Sequence, residues 1–256
     1  MAIFDTHAHY DSSRFKKDRD AVLSALPSQG VELVVDQGCD VQSSRDAVAL
    51  ANRYPHIYAA VGIHPQDCGG CTEADIQAIR TLATTEKKVV AIGEIGMDYH
   101  WEENPPKEFQ EKVFRRQIEL ALELDLPIVV HDRDAHADSL RIVLDYPEVR
   151  GVFHCFAGSP EMARELLKRG WYLGFDGPIT YPNNRKSPQV VAVTPMDRIL
   201  VETDAPYLPP TPYRGKRNES RYLTDVIEQL AEWKGVTPEE MERQTFENGK
   251  RFYGLE

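Results

Sequence analysis

The chain has 256 residues, with 41 acidic and 30 basic side chains and a formal net charge of −11. The length matches a single α/β barrel of roughly 250 residues, and the acidic balance excludes a protein that coats nucleic acid through bulk positive charge. It leaves room for an enzyme that acts on phosphates, because bound metal ions can supply the positive charge at such a site.

Eight short apolar or β-branched runs recur along the chain, and most are continuous, which is typical of parallel strands buried on both faces. The predicted strands are Ile3–Asp5, Val31–Asp36, Ile57–Gly62, Val89–Glu94, Ile128–His131, Gly151–His154, Tyr172–Phe175 and Ile199–Thr203. Apolar residues at helical spacing predict helices over Arg19–Leu26, Ser44–Arg53, Glu73–Ala83, Lys107–Leu124, Ala137–Leu144, Pro160–Lys168, Gln189–Val193, Arg221–Trp233 and Pro238–Tyr253. This alternation predicts a closed (β/α)₈ TIM barrel, an α/β fold, as one domain over residues 1–256, with a doubly wound open sheet as the alternative.

Side chains that can bind a metal stand at the ends of several predicted strands. His7 and His9 follow the first strand with one residue between them, so both point to one face and can hold one ion. Taken alone, this pair is equally compatible with two surface histidines. Four further ligand-type residues end the fourth, fifth, sixth and eighth strands, namely Glu94, His131, His154 and Asp204. A barrel brings these strand ends to one mouth, so the sequence predicts a metal centre there.

Four imidazoles and two carboxylates are too many for one catalytic ion that keeps an open position, so we predict two divalent ions with Glu94 between them. The expected ligands are His7, His9, Glu94 and Asp204 for the first ion, and Glu94, His131 and His154 for the second. Two such ions activate a water and stabilise the attacking and leaving oxygens of a displacement, which predicts hydrolysis. Glu94 and Asp204 are the predicted catalytic carboxylates, and Asp204 is expected to accept the proton of the attacking water.

Other side chains at the predicted mouth are candidates for substrate contact. His64 ends the third strand, and Arg133 lies just beyond His131. The loop after the eighth strand carries Arg214, Lys216 and Arg217, whose cations can hold a phosphate. A packed structural histidine and a solvated charged turn are the alternatives for His64 and for the loop. Less specific candidates are Asp98, Arg185, Lys186 and Glu202, the last for orienting a ligand or holding a third ion.

Neither a membrane span nor a disulfide scaffold is evident in the sequence. No run approaches the roughly 18 apolar residues that a span needs, and the first residues show no basic segment followed by a long apolar one. We therefore expect a cytoplasmic enzyme with no membrane partner and no obligate protein partner. Cys68 and Cys71 have the spacing of a redox or zinc pair, but no second pair completes a four-sulfur site, so we predict a plain loop.

Seven segments together carry a family resemblance: Phe4–His9, Val61–Pro65, Ala91–Tyr99, Pro127–Ala135, His154–Gly158, Glu202–Leu208 and Arg214–Glu219. The sequence resembles, over essentially its whole length, the TatD family of metal-dependent nucleases within the amidohydrolase superfamily. It is similar to the branch that keeps the N-terminal pair of histidines. Tyr10, Asp132 and Asp176 depart from the residues more usual in that family, but none of them removes a proposed ligand.

The resemblance implies a divalent-cation-dependent hydrolase of phosphodiester bonds, typically a DNase that trims DNA from a single-stranded or frayed end. It points to Mg²⁺ or Mn²⁺ in activity, while imidazole-rich sites also suit Zn²⁺ or Ni²⁺ as the bound ion. The residues by themselves indicate hydrolysis and do not choose the bond. Two alternatives stay open: an ester or amide hydrolase acting on a small molecule or an aminoacyl ester, and a non-catalytic barrel that binds nucleic acid or a partner.

Overall fold

The computed structural model describes residues 2–255, so Met1 and Glu256 of the predicted domain lie outside the described residues. Eight parallel strands follow one another around the sheet in chain order. They are β1 Ile3–Ala8, β2 Val31–Gln37, β3 Ile57–Val61, β4 Val89–Asp98, β5 Ile128–Arg133, β6 Gly151–Phe153, β7 Tyr172–Phe175 and β8 Ile199–Val201. The predicted single-domain (β/α)₈ barrel is confirmed, because an open doubly wound sheet would reverse its strand order partway.

Nine α-helices lie within residues 2–255. They are α1 Arg19–Ala25, α2 Val41–Arg53, α3 Glu73–Thr85, α4 Lys107–Leu124, α5 His136–Leu144, α6 Pro160–Leu167, α7 Ser187–Val193, α8 Leu223–Lys234 and α9 Pro238–Tyr253. Helix α2 begins before the predicted Ser44 because Asp40 caps it, accepting a hydrogen bond from the main-chain N–H of Ser43 at 2.6 Å. Cys68 and Cys71 lie between β3 and α3, in a loop, as predicted.

The end of α9 closes the barrel at the end opposite the strand C-termini. Phe252 and Tyr253 join a buried cluster with apolar residues of the strands, and the ring centroid of Tyr253 lies 5.8 Å from that of Phe4. The Tyr253 hydroxyl also donates to the main-chain oxygen of Thr6 at 2.7 Å. Burial of each aromatic ring contributes roughly 1.5–3 kcal/mol. Because this end of the barrel is packed, a binding site is expected at the opposite mouth, where the strands end.

The contact between β1 and β8 contains few main-chain hydrogen bonds. One isolated bridge joins Ala8 to Ala205, the N–H of His9 donates to Ala205 O at 2.7 Å, and the N–H of Asp204 donates to His7 O at 2.9 Å. We call this contact the seam. It sets the end of β1 directly beside the residues that follow β8, so His7 and Asp204 become neighbours.

A buried carboxylate reinforces the seam from inside. Asp5 accepts hydrogen bonds from the N–H of Thr203 at 3.0 Å and from the hydroxyls of Thr203 and Ser220, each at 2.6 Å. Burial raises the pKa of Asp5 to about 7, although these hydrogen bonds oppose the rise. Side-chain bonds thus help to join the strands here, whereas the other neighbouring strands pair through main-chain ladders. Among residues 2–255, no helix is both long and apolar enough to cross a membrane.

Candidate metal centre

The histidines at the end of β1 meet two carboxylates at the mouth. The Nε2 atoms of His7 and His9 are 3.1 Å apart, and each lies 3.4 Å from Oε2 of Glu94. Oδ1 of Asp204 is 3.6 Å from His7 Nε2 and 3.4 Å from His9 Nε2. Ligands at about 2.0–2.2 Å from a tetrahedral ion lie about 3.3–3.6 Å from one another. The atoms of His7, His9 and Asp204 therefore fit the ligand set of one divalent ion, and Oε2 of Glu94 lies beside both imidazoles.

The second oxygen of Glu94 faces a different set of imidazoles. Oε1 lies 2.8 Å from His131 Nδ1 and 2.8 Å from His154 Nε2, and these two nitrogens are 3.3 Å apart. One carboxylate therefore offers a separate oxygen to each set. We call His7, His9, Glu94 and Asp204 the first group, and Glu94, His131 and His154 the second group. Both sets are those that the strand ends predicted.

The remaining ring nitrogens hold several of these imidazoles in orientation. His9 Nδ1 lies 3.1 Å from the main-chain oxygen of Gln37, which makes Nδ1 the protonated nitrogen and leaves the Nε2 lone pair facing the first group. His131 Nε2 lies 3.1 Å from Oδ2 of Asp98, so the Nδ1 lone pair of His131 faces Glu94. This orientation is the one that metal ligation requires. Asp98 is itself held by the N–H of His100 at 2.8 Å, by Gln66 Nε2 at 2.7 Å and by Asn104 Nδ2 at 3.0 Å.

Charge around Glu94 prepares the centre for a cation. Burial alone would raise the pKa of Glu94, but the surrounding imidazoles, His154 foremost, hold it well below its usual range. Burial lowers the pKa of His7, which keeps that imidazole neutral. Burial also opposes protonation of His131 and His154, yet their carboxylate neighbours raise the pKa of both. A cation that enters the second group therefore displaces protons from it.

His64 stands beside the second group with its hydrogen in a different place. The main-chain N–H of Gln66 donates to His64 Nδ1 at 3.1 Å, and burial lowers the pKa of His64. The neutral ring therefore carries its hydrogen on Nε2, which lies 3.6 Å from Oε1 of Glu94 and faces the cleft. A nitrogen that carries a hydrogen donates a hydrogen bond and does not ligate a metal. Substrate contact by His64 stays a prediction.

The ligand groups open into a cleft of about 570 Å³. Its walls include the predicted residues His9, His64, Glu94, His131, Arg133, His154 and Asp204. Arg133 follows His131 by two residues at the end of β5 and is exposed. Of the residues predicted for substrate contact, the structure thus places His64 and Arg133 at the metal centre.

The three predicted cations of the loop after β8 are not among the residues that line this cleft. Arg217 forms ion pairs with Asp18 at 2.7 Å and Glu219 at 2.9 Å. Its guanidinium also packs on the ring of Phe15. Cζ of Arg214 lies 4.5 Å from the centre of the Tyr181 ring, and Nζ of Lys216 lies 5.8 Å from the centre of the Tyr213 ring. Their contact with substrate stays a prediction, and the donors of Arg217 are already engaged.

The less specific candidates also divide into residues that contact the ligand groups and residues that do not. Glu202 Oε1 lies 3.6 Å from His154 Nδ1 and accepts a hydrogen bond from the N–H of Cys155, so it supports the second group from behind. Asp98 supports the same group through His131. Lys186 donates to Ala157 O at 2.9 Å, away from the ligands.

Among the cleft residues that the sequence did not single out are two aromatic ones. Trp101 lies in the loop between β4 and α4, and Tyr207 lies in the loop after β8, and both line the cleft. Their exposure is the signal, because each ring is 46% exposed. Exposure is a property of the folded loops, and a single aromatic residue in a loop shows no periodicity that would reveal it.

Comparison with known proteins finds many related sequences and solved structures. The family model for TatD-related DNases matches residues 4–254. The chain is 46% identical over 255 residues to "Uncharacterized metal-dependent hydrolase YabD" of Bacillus subtilis, with 99% of each chain covered. It is 36% identical over 260 residues to "3'-5' ssDNA/RNA exonuclease TatD" of Cronobacter sakazakii, covering 98% of this chain and 97% of that one. The crystal structure of the TatD homolog YJJV from Escherichia coli superposes with a TM-score of 0.92 at 29% identity, covering 99% and 98% of the two chains.

Proposed function

The chain belongs to the family of TatD-related DNases, and from that premise we propose that it is a nuclease that uses two divalent ions to hydrolyse phosphodiester bonds from an end of single-stranded DNA. One observation carries this proposal: Glu94 presents one oxygen to the first group and the other oxygen to the second group. Magnesium or manganese is the expected ion in activity, and zinc or nickel is the ion expected to stay bound through purification.

The residues around Glu94 fit two ions better than one. The two nitrogens of the first group lie 3.1 Å apart and 3.4–3.6 Å from the facing oxygens of Glu94 and Asp204. The nitrogens of the second group approach the opposite oxygen of Glu94 at 2.8 Å. Divalent ions held there would supply Lewis acidity, which lowers the pKa of a water and stabilises charge on the phosphoryl oxygens. The buried side chains around them fix the position of the substrate phosphate.

Asp204 is the proposed acceptor of the proton. Its side chain is 14% exposed, so it reaches the cleft from the seam. Burial raises the pKa of Asp204, but hydrogen bonding and charge from His9 outweigh burial and lower it, which keeps the carboxylate ionised. As water attacks phosphorus, Asp204 takes its proton and the P–O bond to the leaving sugar oxygen breaks, while His64 Nε2–H donates to a phosphoryl oxygen; the sugar oxygen leaves as a hydroxyl after taking a proton from solvent in the cleft.

Replacing Asp204 with Asn tests this role. We expect the barrel to stay folded and kcat to fall by about two orders of magnitude or more, as for other positioned bases. Circular dichroism checks the fold, and single-turnover rates at saturating Mn²⁺ check the chemistry. Unchanged turnover at saturating metal would remove Asp204 from the mechanism.

The substrate class rests on relatives and on the ligand chemistry. Relatives 36% identical over nearly the whole chain carry the name "3'-5' ssDNA/RNA exonuclease TatD". A centre with paired ions suits the phosphodiester, whose transition state places negative charge on several oxygens at once. We propose DNA as the substrate and include RNA as a test arm.

The experiment uses the purified protein with a single-stranded oligonucleotide that carries a label at one end. We expect mononucleotides in Mg²⁺ or Mn²⁺ and none after EDTA treatment. Labels at the two ends in turn give the direction of digestion, and a blunt duplex and an RNA of the same sequence complete the comparison. Intact oligonucleotide in every metal would contradict the proposal.

A second candidate function has one observation in its favour. Asp11 and Asp67 line the cleft beside the metal ligands, and carboxylates there suit the ammonium group of an aminoacyl ester better than a phosphate. Burial raises the pKa of both, which weakens this preference. Parallel incubation with aminoacyl esters and peptide amides decides the matter, because ester cleavage without nucleotide release would favour this alternative.

A further inference from the structure

We propose that Trp101 and Tyr207 are stacking platforms for two unpaired nucleobases, one on each side of the bond that is cut. This inference rests on the proposed nuclease function and names the feature of the substrate that the cleft recognises. It concerns two side chains that neither bind metal nor take part in proton transfer.

The first observation is where the exposed apolar surface lies. In the part of the chain that the structure describes, the large apolar side chains that are exposed are Trp101, Leu122, Tyr207 and Leu208, at 46%, 36%, 46% and 36%. All of them except Leu122 line the cleft above the metal ligands. Exposed rings concentrated at one concave site indicate a binding surface, whereas scattered exposed residues would not.

The two rings have neighbours that belong to different ligand groups or follow them in the chain. The ring centroid of Tyr207 lies 6.3 Å from that of His9, in the first group. Trp101 lies 5.5 Å from the guanidinium of Arg133, which follows the second-group ligand His131 by two residues. A phosphate held over Glu94 would therefore have one ring near the nucleotide on either side of it.

Each ring also carries a guanidinium. Cζ of Arg133 lies 5.5 Å from the centre of the Trp101 ring, and Cζ of Arg14 lies 5.5 Å from the centre of the Tyr207 ring. Neither arginine forms an ion pair among residues 2–255, so their donors are available to a phosphate. An aromatic face beside a cation is the combination that binds single-stranded nucleic acid without reading its sequence.

This arrangement defines the substrate more closely than the metal ligands do. A base that stacks on a ring has to leave its partner strand, so paired ends are poor substrates. Every base has an aromatic face, so the four bases are accepted alike. Esters without an aromatic group gain nothing from the platforms.

The deciding experiment removes bases and rings in turn. One oligonucleotide has normal nucleotides throughout, and a second has tetrahydrofuran abasic residues at the positions that flank the bond cut first. The holoenzyme in Mn²⁺ should cleave the abasic strand with a kcat/KM lower by about tenfold or more, the size of effect that base–aromatic stacking gives.

Ring variants show whether the lost contact is the one proposed. Trp101→Ala and Tyr207→Ala should each lower kcat/KM on normal DNA by about tenfold and change it little on the abasic strand. Trp101→Phe and Tyr207→Phe keep a ring and should retain most activity. Leu122→Ala removes an exposed apolar side chain outside the cleft and serves as the matched control.

Metal content, measured by mass spectrometry, has to stay equal in all variants, because Tyr207 lies close to His9. Equal cleavage of normal and abasic strands by the wild type would overturn the inference. So would Ala variants that lose as much on the abasic strand as on normal DNA, since that pattern indicates a disturbed metal centre.

Failure of the proposed function gives a different result. If the wild type releases no nucleotides, the proposed function fails, and anisotropy with phosphorothioate-linked strands then decides the platforms separately. Tighter binding of the normal than of the abasic strand, lost in Trp101→Ala, supports them. Equal binding of both strands overturns them.

Discussion

The two ligand groups share one carboxylate but differ in how firmly their histidines are held. In the second group, His131 bonds to Asp98, and three side-chain or main-chain donors hold that carboxylate in turn. In the first group, His9 bonds to the main-chain oxygen of Gln37, which no such network of donors is seen to hold among residues 2–255. Each group also contains one histidine, His7 or His154, whose Nδ1 has no hydrogen-bond partner in the described part of the chain, so the contrast lies between His131 and His9. Two groups with similar ligands can therefore differ in how firmly those ligands are held in position before a metal binds.

The difference follows from where each group sits. The second group is built on β4, β5 and β6, which pair through main-chain ladders, with one register shift between Ile92 and Ile95 of β4. The first group spans the seam, where the end of β1 meets the segment after β8 through few main-chain bonds. We therefore expect the ion of the second group to bind more tightly and the ion of the first group to exchange more readily.

The largest effect should come from removing the residue that both groups share. Glu94→Gln takes one anionic ligand from each group, so activity should fall by on the order of 10³-fold or more, beyond the loss of a single transition-state contact. Bound metal should drop in both groups, measured as ions per chain by mass spectrometry. Glu148→Gln, at an exposed position, is the matched control. Retention of two ions by Glu94→Gln would contradict the shared role.

Removing a ligand of the first group alone should separate the two groups. His9→Ala should leave one ion bound and lower kcat by on the order of 10²-fold, because one of two stabilising charges is lost. His9 is preferable to His7 for this test, since the His7 ring stacks on His154 with centroids 4.0 Å apart. Ion counts after dialysis check the result. Loss of both ions would show that the groups depend on each other.

Weakening the outer support of the second group should reduce its advantage. Asp98→Asn removes the charge that orients His131, so the metal affinity of that group should fall about 10–100-fold. Calorimetric titration with Mn²⁺ measures it, and the first group should keep its affinity. If the affinity of the second group stays unchanged, the contrast in preorganisation loses its basis.

His64 should affect substrate and leave metal alone. His64→Ala removes the Nε2–H donor, and we expect kcat/KM on single-stranded DNA to fall about tenfold or more with unchanged metal content. His64→Gln returns an N–H donor of similar reach and should recover part of the rate. A drop in bound metal would instead make His64 a ligand.

The smallest effect concerns pH. Carboxylate neighbours raise the pKa of His131 and His154 against the effect of burial, so before metal enters both bind a proton more readily than an ordinary imidazole does. Binding releases those protons, so affinity at the second group should rise as pH rises and weaken as pH falls. His9 has a raised pKa and His7 a lowered one, so the first group should release fewer protons. Calorimetry in buffers of different ionisation enthalpy counts them, and equal counts would contradict the difference.

The fold and the ligand positions followed from local sequence. Each apolar run predicts a strand, and parallel order brings the strand ends to one mouth, so the sequence alone predicts that Glu94, His131 and Asp204 lie at the same end of the barrel. Small errors came from caps. The prediction for α2 relied on apolar spacing, whereas the helix starts where Asp40 can accept from the N–H of Ser43.

What the sequence did not reveal depends on contacts between distant residues. Arg217 reads as a free cation in a charged loop, but it pairs with Asp18, 199 positions away. Asp5 reads as one more polar residue of the first strand, and only the folded seam shows that it joins β1 to Thr203. Nothing in the sequence around Trp101 distinguishes its ring from a buried one, and only the folded structure shows that the ring stays exposed.

The seam also fixes an order of events during synthesis. Ribosomes release the chain from its N-terminus at about 5–20 residues per second, so Glu94, His131 and His154 have all emerged while Asp204 is still unmade. His7, among the first residues to appear, waits longest for its partner. The seam is therefore a contact that can form only late in synthesis, and the first group, which spans it, is complete only when the circle of strands closes.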